Sequence, residues 1–231
     1  MKAVLLAAGT GERLGGISRA LPKPMICLDG KPILEHNLEL CRAHGVRELF
    51  INVHHLSEAI TNHFGDGSKW GVSITYAYEP VLLGTAGGVK NLADHLGASP
   101  FFVVYGDNWT HCDLSALLRM HGQRSADLSL AVFATDAPGA GGLVAMETDG
   151  RITGFVERRT RATAGPGLIN AGVYVLESSM VSLIDNGFSD FGHDVIPKLI
   201  QAGRRVFGFV MDHEVRAVDT PALYEKWADR R

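Results

Sequence analysis

Cysteine is scarce in this chain and its charge imbalance is slight, and each shortage removes a class of protein. The three cysteines, Cys27, Cys41 and Cys112, are widely spaced and form no C-x-x-C pair. A disulfide framework and a cysteine-paired zinc site are thereby excluded, and the three read as reduced, mostly buried thiols. The histidines are scattered; His54 and His55 are the only adjacent pair, and no H-E-x-x-H occurs. A formal charge of −3 exerts no general pull on nucleic acid or anionic membrane, so any anion site has to be local. No apolar run approaches the roughly 20 residues needed to span a bilayer. The N-terminus enters a strand without the basic region and cleavage site of a signal peptide, so a cytoplasmic location is expected. Internal repeats and an isolating linker are also absent. What remains is a chain of 231 residues, 46% apolar and 20% charged, long enough for one large domain with a substantial core.

The stretch Leu5 to Pro24, LLAAGTGERLGGISRALPKP, organises the rest. An apolar strand, Ala3–Leu6, runs into a segment with four glycines, Gly9, Gly11, Gly15 and Gly16. Glycine permits positive φ and close approach of backbone to a ligand, and successive N–H groups in such a loop form a nest for phosphate oxygens. Arg13, Arg19 and Lys23 add cations against a single carboxylate, Glu12. A cationic glycine-rich turn after a strand points to a nucleoside triphosphate. It is not a P-loop, because no lysine follows a glycine in that pattern. Nor is it a Rossmann fingerprint: Leu14 stands where the third glycine belongs, and Pro22 and Pro24 are expected to keep the chain extended to about Met25.

Further along, Asp29-Gly30 marks a turn, and a helix is expected from Pro32 to about His44 with Ile33, Leu34, Leu38 and Cys41 on one stripe. Strands at 49–53 and 72–78 flank a short helix at 58–64, with Ser57 as its N-cap. A helix follows the glycines at 84–88 and runs to about Leu96. The apolar strand 101–105 ends in Gly106-Asp107-Asn108, Asp113 caps a helix through His121, and 128–134 is a strand. This β-α-β rhythm predicts an α/β fold with a doubly wound, mainly parallel mixed sheet and helices on both faces. Ligands of such sheets gather outside the carboxyl ends of strands, so strands 3–6 and 101–105 are expected to bring their loops to one rim. Beyond residue 135 the extended segments shorten (143–147, 152–157, 169–176), with Asp149-Gly150 as a hairpin turn. The stretch 158–167 reads as a mobile loop. Helices at 178–185 and 193–202, a strand at 205–210 and a last helix from Pro221 close the chain. Residues 1–231 thus read as a single domain, with a nucleotide-binding half (1–135) and an acceptor-binding half (136–231).

LAAGTGERL followed by PKPMICLDGKPILEH resembles the signature of the sugar-1-phosphate nucleotidyltransferases, with Glu12 in place of their usual threonine. The resemblance covers nearly the whole chain and implies a Rossmann-like nucleotidyltransferase fold. It also implies the reaction: a sugar-1-phosphate oxygen attacks the α-phosphorus of an NTP and pyrophosphate leaves. By the family pattern, Arg13, Lys23 and Asp107 are catalytic. Leu6, Ala7, Ala8, Gly9, Thr10, Gly11, Glu79, Gly84 and Thr85 are assigned to the nucleotide. Asn108, Gly142, Glu157, Arg158 and Asn170 are assigned to the sugar phosphate, from segments similar to Y-G-V, F-x-E-K-P and I-N-A-G-x-Y. Mg²⁺ is the implied cofactor, held by Asp107. The second carboxylate of the family falls at Ala217, so Asp219 is either a displaced ligand or the cap of the last helix. Arg13 and Lys23 are expected to serve catalysis and to be silent in folding.

The base is GTP or UTP. Glu79 stands five residues before Gly84, where many relatives carry a base-reading glutamine. A carboxylate can accept together from the two adjacent donors of guanine, which favours GTP and a mannose- or heptose-1-phosphate guanylyltransferase. Two other readings stay open: a binding or regulatory homologue without turnover, and a nucleotidyltransferase with a non-sugar acceptor such as phosphocholine or a pterin cofactor. No nucleic-acid or membrane partner is expected, and a homodimer is compatible with the sequence.

Overall fold

The computed structural model describes residues 1–11, 21–136, 141–158, 166–218 and 223–225. The elements in chain order are β1 (Lys2–Leu6), β2 (Cys27–Leu28), β3 (Lys31–Pro32), α1 (Ile33–Ala43), β4 (Glu48–Val53), α2 (Ser57–Phe64), β5 (Ser73–Tyr78), α3 (Gly84–Lys90), α4 (Ala93–Leu96), β6 (Phe101–Tyr105), β7 (Asn108–Trp109), α5 (Leu114–Gln123), β8 (Leu128–Thr135), β9 (Gly141–Met146), β10 (Ile152–Arg158), β11 (Gly167–Leu176), α6 (Ile196–Gln201), β12 (Val206–Met211) and β13 (Arg216–Ala217). The fold class is α/β with a mixed sheet. The chain forms two compact units that interleave in sequence: Met1–Leu82, Val104–His111 and Val215–Arg231 make the first, and Leu83–Val103 with Cys112–Glu214 the second.

In the first unit β1, β4 and β5 are parallel, with Leu6 opposite Asn52 and Asn52 opposite Ala77. β1 is buried from Ala3 to Leu6, as expected of a strand covered on both faces. The stripe of α1 is buried as its periodicity predicts: Ile33, Leu34, Leu38 and Cys41 are all wholly inaccessible. Asp29 and Gly30 take φ of 49° and 81°, the positive pair of a type I′ turn, and close the β2–β3 hairpin. Antiparallel pairing of β7 with β13 sets Trp109 opposite Arg216 and Asn108 opposite Ala217. The Arg216 guanidinium lies 4.5 Å from the centre of the Trp109 ring, whose plane stacks on His36 at 4.1 Å.

The second unit is mainly antiparallel. β10 pairs with β9, and β11 with both β9 and β8, while β12 runs parallel to β8. Gly150, at φ 90°, turns the chain between β9 and β10 as the Asp149-Gly150 signal predicted. Asp113 accepts from the Ala116 N–H at 2.9 Å and caps α5. Ser57, by contrast, is the first residue of α2 and not its cap; left-handed Leu56 precedes it and makes no side-chain cap. The stretch 178–183 is 3₁₀ helix, and α6 is preceded by a single π turn, Phe191–Val195. The expected loop at 158–167 and last helix lie largely outside the described residues. No described helix is long and apolar enough to cross a membrane. The thiols of Cys41 and Cys112 are pushed up to about 12 by burial, so both stay un-ionised.

His121 on α5 is 2% exposed, with Nδ1 against Ser129 Oγ at 2.9 Å and Nε2 against Glu177 Oε1 at 3.2 Å. Burial holds its pKa below the ordinary 6.5, outweighing the opposite pull of Glu177. The unfolded chain therefore binds this proton more readily, and the stability present above the ordinary pKa is lost as pH falls below it. Thermal unfolding followed from about pH 7.5 to about pH 5.5 is expected to show a falling midpoint, with a shallower fall in His121→Gln. Equal slopes in the two proteins would remove His121 from the account.

Candidate active site

The site in the first unit begins where β1 and β6 end. Gly106 N–H donates to the Leu6 carbonyl at 2.8 Å, and a Cβ on Gly106 would stand 2.7 Å from that oxygen. Only glycine permits this approach, and the next residue is Asp107. Asn37, wholly buried on α1, donates Nδ2 to the carbonyls of Tyr105 (3.2 Å) and Asn108 (2.9 Å). It thus brackets the Gly106–Asp107 turn from both sides. The expectation that the loops after β1 and β6 share a rim holds here at hydrogen-bond distance.

Pro22 is extended, with φ −65° and ψ 142°, but Lys23–Met25 forms one 3₁₀ turn, not extended chain. The fixed φ of Pro24 suits a first helical turn as well as an extended segment. Lys23 is 7% exposed, and its Nζ donates to Asp107 Oδ2 at 2.5 Å. The expectation that Lys23 is silent in folding is corrected: a buried ammonium requires its paired carboxylate. Two variants separate its roles. Lys23→Met keeps the buried stem and is expected to cost little stability while lowering turnover by about 10²-fold. Lys23→Ala should unfold about 4 °C or more below the methionine variant, since it also vacates buried volume. Equal activity of Lys23→Met and wild type would sink the phosphate role.

Asp107 is about one-third exposed at its side chain (31%). A single accessible carboxylate fits Mg²⁺, which is commonly held by one or two carboxylates plus substrate phosphates. Among the described residues no cluster of three or more His, Cys, Asp or Glu could cage a metal. Ala217, where the family pattern expects the second carboxylate, pairs with Asn108. Asp219 and Arg13 lie outside the described residues.

Of the residues assigned to the nucleotide, Leu6 uses its carbonyl on Gly106. The Ala7 N–H donates to Asn52 Oδ1 at 2.7 Å. Ala8 is buried and Gly9 exposed, with open space where a Cβ would stand. Thr10 and Gly11 are half-buried, and Gly11 needs its glycine for a φ of 66°. Glu79 is 1% exposed, and its Oε1 accepts from Asn52 Nδ2 at 2.8 Å. The carboxylate is therefore first of all a partner of the protein.

In the second unit Gly84 combines a φ of 75° with a Cβ position 2.5 Å from the Ser189 carbonyl. The Thr85 hydroxyl donates to Asp190 Oδ1 at 3.0 Å and accepts from Phe191 N–H at 2.9 Å. Gly84 and Thr85 thus lock α3 onto residues 189–191, a task the sequence did not announce. Gly142 and Glu157 face each other across β9 and β10. A Cβ on Gly142 would meet the Phe155 ring at 2.2 Å, and one on Gly192 would meet Glu157 Oε2 at 2.2 Å. The Glu157 carboxylate therefore occupies the room that Gly192 leaves. Arg158 ends β10 opposite Gly141. Asn170 folds back on its own strand: Nδ2 donates to the Tyr174 hydroxyl at 2.6 Å, and Oδ1 accepts from Gly172 N–H at 3.1 Å. Gly172, at φ 72°, makes the bulge that permits this.

The model of the nucleotidyl transferase family matches residues 2–229. This chain belongs to that family. A UTP–glucose-1-phosphate uridylyltransferase from Synechocystis sp. is 34% identical over 231 residues, 93% of this chain and 59% of that protein. A mannose-1-phosphate guanylyltransferase from Mycobacterium tuberculosis is 32% identical over 221 residues, 95% of this chain and 61% of that protein. The chain spans about three-fifths of the length of these curated relatives. The crystal structure of HddC from Yersinia pseudotuberculosis, complexed with GMP-PN, superposes with a TM-score of 0.85 at 25% identity, covering 99% of this chain and 98% of that one. In this chain the residues that pattern reading passed over are Asn37, Asn52, Asp190 and Gly192. Two of them carried a signal: Asn37 interrupts the apolar stripe of α1, and Asn52 interrupts the apolar strand Leu49–Val53.

Proposed function

We propose that this nucleotidyl transferase moves a nucleotidyl group from an NTP, GTP in preference to UTP, to a hexose- or heptose-1-phosphate. The products are an NDP-sugar and pyrophosphate. The observation that carries the reading is the buried Lys23 bonded to Asp107 directly beside the start of the glycine-rich loop. It is a fixed cation and a carboxylate about one-third exposed where a triphosphate is expected. GTP is favoured because the HddC crystal structure that covers nearly all of both chains holds GMP-PN. The guanylyltransferase names among the relatives support the same choice.

The acceptor phosphate is a competent nucleophile at neutral pH, so no general base is required. One of its oxygens forms the new bond to the α-phosphorus. The bond from that phosphorus to the α,β-bridging oxygen breaks, and its electron pair leaves on pyrophosphate. Lys23 spreads phosphate charge, and the Ala8–Gly11 backbone orients the triphosphate for in-line attack. Arg13 is given the triphosphate by resemblance alone. Mg²⁺, held by Asp107 and the phosphates, would supply further charge neutralisation. Glu157 and Asn170 receive sugar hydroxyls. Purified protein incubated with each NTP, a panel of sugar-1-phosphates and Mg²⁺ tests this by pyrophosphate release. The expected result is turnover with a higher kcat/KM for GTP than for UTP. Nucleotide binding without pyrophosphate release would replace the enzyme with a regulatory homologue.

A further inference from the structure

We infer that Asn52 is a positioning residue that sets nucleotide affinity, by joining the first-loop backbone at Ala7 to Glu79. The inference rests on the nucleotide reading above. Asn52 is 2% exposed in a strand whose neighbours Leu49, Phe50, Ile51 and Val53 are buried and apolar. A primary amide there is costly unless its groups are paired. Both atoms are used: Oδ1 accepts from Ala7 N–H at 2.7 Å and Nδ2 donates to Glu79 Oε1 at 2.8 Å. The Ala7 N–H fixes which atom is which, since a backbone N–H only donates and therefore faces Oδ1, leaving Nδ2 toward Glu79.

Glu79 is tied to β4 on the backbone as well. Its N–H donates to the Val53 carbonyl at 2.9 Å, and its own carbonyl lies 2.7 Å from His54 Nδ1. One side chain on β4 therefore links the residue after β1 to the residue after β5. The carbonyl of the Leu6–Ala7 peptide is already held by Gly106. Asn52 holds its N–H, so this peptide unit is fixed at both polar groups. Ala8 to Gly11 start from a rigid base, and any shift of the Glu79 carboxylate reaches them through the Asn52 amide. Sites held by packed supporting groups bind more tightly because less ordering remains to be done on binding.

A double-mutant cycle tests this. Asn52→Asp keeps the acceptor for Ala7 but sets one carboxylate against another. Adding Glu79→Gln restores a donor–acceptor pair with the direction reversed. GTP and UTP are titrated against each folded protein by calorimetry, without sugar phosphate, and urea unfolding is recorded alongside. Asn52→Asp is expected to weaken nucleotide binding by about tenfold or more next to Glu79, and by less than about threefold next to Gln at that position. The KM for the sugar phosphate should change by less than about twofold in every variant. A cycle that is additive in affinity, even if coupled in stability, makes Asn52 a structural pin only and overturns the inference. A wild type that binds neither nucleotide overturns the functional reading together with this one.

Discussion

Asp107→Asn is expected to lower turnover by about 10²-fold or more while leaving a folded protein. The substitution keeps the shape of the side chain and one oxygen that can accept from Lys23, so the turn bracketed by Asn37 persists. What it removes is the negative charge at the end of β6. Two consequences separate the catalytic from the structural effect. Mg²⁺ dependence of pyrophosphate release should shift to higher concentration or disappear. The unfolding midpoint should fall modestly, because the buried Lys23 ammonium has lost its counter-charge and a neutral amide only partly replaces it. Asp107→Ala is the cruder experiment, since it removes the carboxylate bonded to that buried ammonium and mixes unfolding with chemistry. Near-wild-type turnover in a folded Asp107→Asn protein would end the assignment of Asp107 to metal and catalysis.

Gly192→Ala should act on the sugar half alone. The added methyl would stand 2.2 Å from Glu157 Oε2, 3.1 Å from its Cδ and 3.2 Å from the Phe155 ring. The carboxylate is the movable end of a flexible side chain, so the methyl displaces it by about 1 Å more readily than it disrupts the fold, and a misplacement of that size can cost about 10²-fold. Measured with saturating NTP, kcat/KM for the sugar phosphate should fall to about the level of Glu157→Gln, whereas equilibrium GTP binding should be unchanged. If Gly192→Ala unfolds, Glu157→Gln still reads the same carboxylate. Full activity in both folded Gly192 and Glu157 variants would remove Glu157 from the acceptor site.

The amino-acid sequence by itself determined the fold class and most of the element order. Those features are local. Periodicity buried Ile33, Leu34, Leu38 and Cys41, the two positive φ values at Asp29-Gly30 closed a hairpin, and Asp113 capped α5. Where local signals were weak, the boundaries moved. Ser57 lost its cap role to a left-handed Leu56, and Pro24 proved as compatible with a 3₁₀ turn as with extended chain.

Tertiary structure alone decided which polar groups meet. Lys23 and Asp107 are 84 residues apart in sequence, Ala7 and Asn52 are 45 apart, and Thr85 and Asp190 are 105 apart. No pattern along the chain reports such distances. Burial turned Lys23 from a loop cation expected to be silent in folding into a buried partner of Asp107, and Glu79 from an offered carboxylate into a partner of Asn52. Room was decided in the same way: Gly192 leaves space for the Glu157 carboxylate and Gly142 for the Phe155 ring. A glycine in a sequence announces freedom of the backbone, but what fills the space beside it depends on elements that only folding brings together.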